Sequence, residues 1–382
     1  MRFEFKSVFV GSVLLACIIA TLRYQELAGD PGIYRSRIAL LFDGNLPYVD
    51  FFFEHLPLTI LPMAIAWLLG GAFSDVAYTI IFALLMAACL WITAGLVERL
   101  GGRLSEKTAG MRWLAISAPL FPFILFRSDP FPVISATAAL LALVEGRERR
   151  ALWIEYAGIL AKGWPVVLAL AEWWRGRRLR AMGLVVTAAA LLVGLVALPG
   201  FSQARQFEGI HSETLFGAAF TLARFRSGSS LELISDAGAT YVAVPYWVVP
   251  VSLTVGVILF GMALIRLRPG FSWNASVRLV AATLVALLLA VPLLSPQFML
   301  WPTPFLALHP NRKVRGTAIA VSALTLVYML GWNPGFEGDL WWVGVVNLRN
   351  LVLLVLGALT AWTVSGSQTS MGHDHPAGQD PR

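Results

Sequence analysis

The sequence predicts an all-α fold, a polytopic bundle of transmembrane helices, on three observations. Hydrophobic residues make up 58% of the 382 positions and charged residues only 13%, whereas globular domains have about 45–50% and about 25%. The mean hydropathy is +0.72. Apolar runs approaching the roughly 20 residues that a membrane helix needs recur along the chain. A soluble fold of this size could not bury so much apolar surface, so we expect an integral membrane protein.

These runs predict about ten full spans, some of them short for a membrane helix. They lie near 7–22, 76–96, 112–126, 130–144, 181–198, 246–265, 279–294, 297–309, 316–332 and 350–365. The first run follows Arg2 and Lys6, as the apolar part of a signal peptide would. We expect it to be a retained helix, because further membrane segments follow it.

Two apolar segments are not expected to cross the membrane fully. The run 56–72 contains Pro62, Gly70 and Gly71, and we expect it to lie in or along the outer leaflet. The stretch 151–173 has basic clusters on both flanks and helix breakers around Lys162. A re-entrant pair of half-helices keeps both flanks on one side, and broken backbone at membrane depth is tolerated where it lines a cavity.

The distribution of charge then predicts the orientation of the chain, with the amino terminus inside. The cytoplasmic side receives 20 of the 29 Lys and Arg residues but only 8 of the 22 acids, as the positive-inside rule requires. This sidedness explains the net charge of +7, so no nucleic-acid partner is expected. Residues 1–364 form a single membrane domain with outer loops 23–55 and 199–245. The tail 365–382 is polar and rich in Gly, Ser and Pro, and is expected to be a disordered cytoplasmic segment.

The first outer loop concentrates carboxylates and aromatic rings. Its candidate site residues are Asp30, Tyr34, Tyr48, Asp50 and Glu54. Residues 33–42 between them can form a short interfacial helix. Such a mixture suits a site at the membrane–water boundary, where a polar substrate meets an apolar tail. A solvated loop with an aromatic belt explains the same composition equally well.

Further polar groups are expected on the same face. Arg127 and Asp129 stand in a turn between two spans that is so short that both charges must lie at the membrane surface. The others are Lys162 in the re-entrant pair, His211 and Glu213 in the second outer loop, and Gln297 and Arg349 near the starts of spans. Ionisable groups crowded on one membrane face are functional candidates. Each also has a structural explanation, such as a helix cap at Gln297 or a side chain reaching the interface at Arg349.

The chain lacks the sequence motifs of several enzyme classes. It has no Walker loop, no dinucleotide glycine fingerprint, no Gly-x-Ser-x-Gly and no His-Glu-x-x-His, so nucleotide-driven transport and zinc proteolysis lose support. Carboxylates can supply a general base, and cations can stabilise an anionic phosphate leaving group. Glycosyl transfer from a lipid phosphate needs both.

The order of these motifs resembles the GT-C superfamily of polytopic glycosyltransferases, particularly the bacterial glycosyltransferase 87 family with its mannosyltransferases. The first-loop pattern is carried by Asp30, Tyr34, Gly44, Pro47, Tyr48, Asp50 and Phe51. It departs from the family at Glu54-His55-Leu56-Pro57-Leu58, where the family has a Glu-Tyr-Pro-Pro-Leu-like run. The later matches are Arg127-Ser128-Asp129, Lys162-Gly163-Trp164-Pro165, Ser295-Pro296-Gln297-Phe298 with Trp301, and Arg349-Asn350.

The resemblance implies inverting transfer of a sugar, with mannose as the family's example, from a polyprenyl-phosphate donor to a lipid or glycan acceptor. It implies a multi-pass protein of the bacterial plasma membrane with an extracytoplasmic active site among membrane lipids. Asp30 matches the general base, and Asp50 is the alternative base or a sugar-positioning carboxylate. Arg127, Lys162, His211 and Arg349 become phosphate ligands. No cofactor is required; a divalent cation could bridge Asp30 or Asp129 to phosphate, but no ligand spacing demands a metal.

Two other classes of function remain as alternatives. A transporter or lipid flippase would explain the broken segment 151–173 and its lysine, although no internal repeat is visible and the ionisable groups crowd one face. A non-catalytic membrane scaffold leaves the first-loop carboxylates unexplained.

Overall fold

The computed structural model describes residues 3–23, 30–199, 209–227, 233–236, 239–266, 272–331 and 340–364. The tail 365–382, for which we predict disorder, lies outside these residues.

The described chain is a helical bundle, about 80% helical. In chain order its α-helices are α1 (Phe3–Leu22), α2 (Asp30–Phe42), α3 (Ile60–Ala66), α4 (Asp75–Arg103), α5 (Ala109–Ser117), α6 (Phe121–Ile124), α7 (Pro130–Val144), α8 (Glu148–Lys162), α9 (Leu168–Trp174), α10 (Arg178–Val196), α11 (Leu215–Ser227), α12 (Val248–Ile265), α13 (Trp273–Ala290), α14 (Thr303–Ala307), α15 (Arg312–Gly331) and α16 (Leu340–Trp362). The expected all-α class is thereby confirmed.

Seven helices within the described residues are long and apolar enough to cross a membrane. They are Glu4–Leu22, Asp75–Arg103, Arg178–Val196, Val248–Ile265, Trp273–Ala290, Arg312–Gly331 and Leu340–Trp362. The segments Pro57–Gly71, Ala109–Ile124 and Pro130–Val144 are apolar but shorter. Membrane helices are therefore confirmed, whereas the expected count of about ten spans is not.

Some helix boundaries differ from the predicted spans, and proline and capping residues account for part of the difference. The run expected to span 297–309 is instead a 3-10 helix, Pro296–Leu300, followed by the short α14. Pro302 and Pro304 interrupt it, because proline lacks the N–H that a continuous helix needs. Helix α13 begins six residues before the predicted run, after Ser272, whose hydroxyl accepts a hydrogen bond from the Ala275 backbone at 3.3 Å.

The segment expected along the outer leaflet is irregular. It passes from a 3-10 helix (Pro57–Thr59) through α3 to a π-helix (Trp67–Gly71). A Cβ at Gly71 would lie 2.5 Å from the ring of Tyr78 on α4. Glycine therefore permits the close approach of this segment to α4.

Helices α8 and α9 form a hairpin, as expected for the re-entrant pair. The break is at Gly163, which has φ of +75°, a backbone conformation that side chains disfavour. A 3-10 turn, Trp164–Val167, leads into α9. The two far ends meet, because Arg177 lies 2.5 Å from Glu148 at the start of α8 and 3.5 Å from Glu172 near the end of α9.

Basic residues collect at one end of the bundle. Glu145, after α7, lies 3.2 Å from Arg99 and 3.5 Å from Arg103, at the end of α4. The Gly163 turn and the Arg127–Asp129 turn lie at the opposite ends of the helices concerned. This arrangement supports the prediction that the basic loops lie together at one end of the bundle and these two turns at the other.

The second outer loop contains a small sheet that the sequence analysis does not predict. Strands β1 (Ile210–His211), β2 (Leu233–Asp236) and β3 (Ala239–Val242) pair antiparallel in the order β1-β3-β2. Such short strands leave too little alternation of apolar and polar residues to be recognised. β1 is tied to the bundle by the His211 backbone N–H, which donates to the Pro292 carbonyl at 2.9 Å.

Candidate functional site

Two ion pairs meet at the turn between α6 and α7. Arg127 Nη1 lies 2.7 Å from Asp30 Oδ2 at the start of α2. Two residues later, Asp129 Oδ2 lies 2.9 Å from Lys162 Nζ at the end of α8. One short turn thus joins the first outer loop to the hairpin, and it unites four of the residues predicted for the site.

Among the described residues, the bonding partners of the Asp30 carboxylate all meet one of its two oxygens. Its Oδ2 forms the ion pair with Arg127. The same oxygen accepts a hydrogen bond from the Tyr34 hydroxyl at 3.1 Å, one helical turn along α2. Burial raises the pKa of Tyr34 well above its usual value, so this hydroxyl stays protonated and donates. Oδ1 has no hydrogen-bond donor among the residues that the structure describes, and the side chain is 28% exposed.

Gln297 extends this network toward the carboxyl half of the chain. Arg127 Nε donates to its Oε1 at 3.2 Å, and the Ser295 hydroxyl donates to the same oxygen at 2.7 Å. Gln297 is therefore a partner of the arginine beyond any helix-capping role.

Asp129 is fully buried, and both its oxygens are bonded. Trp301 Nε1 donates to Oδ1 at 2.6 Å, and Lys162 holds Oδ2. Lys162 Nζ also lies 5.1 Å from the ring centre of Phe298 and 5.8 Å from that of Trp301. The ammonium is thus fixed between a carboxylate and two aromatic faces, which attract cations.

A large cavity of about 990 Å³ opens beside this lysine. Glu54, His55 and Lys162 supply its ionisable lining. Most of the remaining surface is apolar and comes from α8, α9 and α10. On α10 the lining runs from Ala181 to Leu192, about 16 Å along a helix axis. The cavity therefore has a charged end and a long apolar body.

Glu54 and His55 are held in the cavity wall by the first outer loop. Tyr48 has a φ of +69° and donates its hydroxyl hydrogen to the His55 carbonyl at 2.7 Å. His55 Nε2 lies 3.6 Å from Glu54 Oε1, and Arg37 Nε lies 3.9 Å from Glu54 Oε2. Tyr48 thus acts in positioning these two side chains.

The structure does not bring Asp50 into this group. Its Oδ2 accepts the Leu46 backbone N–H at 2.7 Å and closes a turn, and the residue is exposed. Like Asp30 and Arg127, it is not among the residues that line the cavity, but unlike them it has no contact with the two ion pairs in the described residues.

Arg349, Glu213 and His211 form a second, buried group. Arg349 is fully buried in α16; its Nη2 donates to the Glu213 carbonyl at 2.5 Å, and its Nη1 lies 3.4 Å from Glu213 Oε2. Asn350 Oδ1 accepts from the same guanidinium at 3.0 Å. Burial lowers the pKa of His211, which favours the neutral imidazole. The geometry describes a clasp between the second outer loop and α16.

Sequence reasoning assigned no role to His55 or Trp301. His55 lines the cavity, and Trp301 both lines it and bonds Asp129. The available signal was His55, which follows Glu54 at the position where the sequence departs from the first-loop pattern. The described residues contain no group of three or more His, Cys, Asp or Glu side chains suited to a metal ion.

Comparison with known proteins places the chain in no family. It matches no family model and no curated protein.

Proposed function

We propose that this protein is a membrane glycosyltransferase that moves a sugar from a polyprenyl-phosphate donor to a lipid or glycan acceptor on the extracytoplasmic face of the membrane. The observation that carries the proposal is the two-part cavity, a charged end beside two ion pairs and an apolar body along α10. A lipid-linked phosphosugar has the same two parts.

The apolar body suits a prenyl chain. Val166, Leu170, Val185 and Leu192 line it, and so does Trp173. Burial of apolar surface contributes about 25 cal/mol per Å², so a long isoprenoid gains substantially from this wall. Only 17% of the apolar stretch of α10 is buried within the bundle, so this wall lies at the edge of the protein.

The charged end suits a phosphate. The Lys162 ammonium has three N–H donors, of which one is bonded to Asp129. Charge-assisted bonds from the others would stabilise the phosphate as the glycosidic bond breaks. Lys162 is thus the phosphate ligand, with Arg127 the neighbouring cation.

Asp30 is the general base of the proposed reaction. The acceptor hydroxyl gives its proton to Asp30 Oδ1 while its oxygen attacks the anomeric carbon. The bond from that carbon to the phosphate oxygen breaks, and polyprenyl phosphate leaves with the electron pair. Attack from the face opposite the leaving group inverts the anomeric configuration. Arg127 and Tyr34 hold the other oxygen and orient the carboxylate.

The test uses purified protein, radiolabelled polyprenyl-phosphate mannose as the donor and host membrane lipids as acceptors. Polyprenyl-phosphate glucose and arabinose are tested as alternative donors. Asp30→Asn keeps the shape of the side chain but removes its basicity, so transfer should fall about 10²–10⁴-fold while donor binding persists. Asp50→Asn is the matched control and should stay near wild type, because Asp50 closes a local turn.

Normal transfer by Asp30→Asn would remove Asp30 from the mechanism. Movement of intact donor across proteoliposomes without cleavage, and with no transfer, would replace the enzyme with a flippase.

A further inference from the structure

His55 is placed on the same cavity wall as Lys162. The Thr59 hydroxyl donates to the Ala161 carbonyl at 2.5 Å, and a Cβ at Gly163 would lie 3.6 Å from Leu56. These contacts bind the segment that follows Glu54 to the end of α8. Imidazole and ammonium therefore face one cavity from two adjoining segments.

A carboxylate and two aromatic rings lie around the His55 ring. Glu54 lies 3.6 Å from Nε2, and a carboxylate at that distance stabilises imidazolium. The ring also contacts Tyr34, at 5.1 Å between ring centres, and Phe53, at 5.8 Å. Its side chain is 13% exposed, so these neighbours fix its position.

We propose that His55 is a second, titratable phosphate ligand, which forms with Lys162 a two-cation cradle for the phosphodiester of the lipid donor. This inference rests on the proposed function, because it assigns a further ligand to the same cavity. Lys162 supplies one cation, and His55 supplies a second when its imidazole is protonated. Donor affinity should therefore be greatest in mildly acidic surroundings.

The other charged and titratable groups that the structure describes around His55 come from three segments. Its own segment contributes Glu54 and Tyr48, α2 contributes Tyr34 and Arg37, and α8 contributes Lys162. Burial raises the pKa of both tyrosines further from neutrality. Of these groups only imidazole has an ordinary pKa near neutrality, about 6.5.

The test measures binding of farnesyl methyl phosphate, whose single negative charge is constant from pH 5.5 to 8, by the fluorescence of the tryptophans beside the cavity. Farnesol is the uncharged reference. Wild-type affinity for the phosphodiester should fall about tenfold over this range, since a charge-assisted bond is lost with the proton. His55→Gln, a neutral residue of similar length, should bind with no such pH dependence.

Two further variants separate the contributions. Glu54→Gln should move the midpoint to lower pH, because imidazolium loses its carboxylate. Lys162→Arg should keep the slope, because it keeps the fixed charge.

A wild-type pH profile in His55→Gln would overturn the inference and leave the proposed function intact. Equal affinity for farnesol and the phosphodiester at every pH would instead count against the proposed function.

Discussion

Arg349 and Asp129 show how single buried charges are accommodated in this protein. Asp129 takes one donor on each oxygen, and Arg349 donates to a carbonyl, a carboxylate and an amide. A buried charge whose partner is removed is strongly destabilising. The role of such a residue therefore depends on whether its remaining donors face the cavity, as at Lys162, or are directed to the protein, as at Arg349.

Arg349 is accordingly expected to act on stability. Arg349→Met leaves Glu213 and Asn350 buried without their partner, and should lower the free energy of unfolding by about 3–5 kcal/mol. Arg349→Lys should recover part of this, because lysine keeps the charge and loses the two-pronged fork. Thermal unfolding in detergent measures both. Leu348→Ala, at an exposed neighbouring position, is the control. If Arg349→Met unfolded normally but bound farnesyl methyl phosphate weakly, Arg349 would be a phosphate ligand after all.

At the scale of the element, ion pairs join the α8–α9 hairpin to α10 at one end, and the three helices line the cavity along their length. Arg180 Nη2 lies 2.7 Å from Glu155, and its Nε lies 3.3 Å from Glu172; both carboxylates are fully buried. Ala181 and Leu184 of α10 also pack against Ile159 and Ala169 of the hairpin, while the outward face of α10 is apolar and exposed. The geometry of the cavity therefore depends on this fastening.

Arg180→Met should loosen the wall of the cavity. Two buried carboxylates would lose their shared partner, and the expected loss of stability is about 3–5 kcal/mol. Arg178→Met is the matched control, because Arg178 is exposed and lies over the Trp173 ring, 5.7 Å from its centre. Thermal unfolding gives the stability, and farnesol binding reports on the cavity. Glu155→Gln and Glu172→Gln added to Arg180→Met should restore part of the loss; equal stability of the two arginine variants would show that the fastening is unimportant.

Gly163 sets the reversal of the hairpin. A side chain at φ of +75° costs of order 1–3 kcal/mol, while a Cβ there would meet only Leu56 at an ordinary 3.6 Å. Gly163→Ala should therefore destabilise through the backbone alone and displace Lys162, with weaker binding of farnesyl methyl phosphate. Gly194→Ala places the same methyl on a helix in open space and should not destabilise. Indistinguishable unfolding curves for the two variants would contradict this role of Gly163.

The elements differ in how well their sequences predict them. The hairpin was predictable, because Gly163 and Pro165 sit between basic flanks. The predicted span 297–309 is two short helices instead of one, because its apolar content outweighed its prolines in the prediction. Helix α16 begins ten residues before the predicted span. An unpaired arginine is unfavourable inside a membrane, and the sequence does not show that Glu213 lies beside Arg349. The candidate site residues could be chosen from residue type and expected side, whereas the bond between Arg127 and Gln297 joins positions 170 residues apart.

At the scale of the whole molecule, the described chain divides into a basic end and an end that carries the candidate site. The ion pairs Asp30–Arg127 and Asp129–Lys162 belong to the second end, and the Arg177 and Arg180 cluster belongs to the first. Membrane insertion follows the distribution of Lys and Arg. The basic end should therefore face the cytoplasm.

Cysteine labelling in intact cells tests this orientation, in a background with Cys17 and Cys89 replaced. Gly102→Cys and Gly176→Cys lie at the basic end, where a side chain meets open space, and should resist an impermeant thiol reagent. Asp43→Cys, at an exposed position of the first outer loop, should react. All three should react after the cells are permeabilised, which controls for accessibility. Labelling of both Gly102→Cys and Asp43→Cys in intact cells would mean that 57–71 crosses the membrane.

The Arg127–Asp129 turn also has a consequence for biosynthesis. Its bonds to Gln297 and Trp301 span 170 and 172 residues of chain, which a ribosome needs about 10–30 s to synthesise. Until then Asp129 can pair only with Lys162, 33 residues away, and Asp30 can pair with Arg127. The nascent protein thus carries two ion pairs before the rings of Phe298 and Trp301, which lie beside Lys162 of one pair, have been synthesised. The site is completed only when the last part of the chain is made. An arrested chain that ends before Trp301 therefore contains both ion pairs but lacks the indole that bonds Asp129.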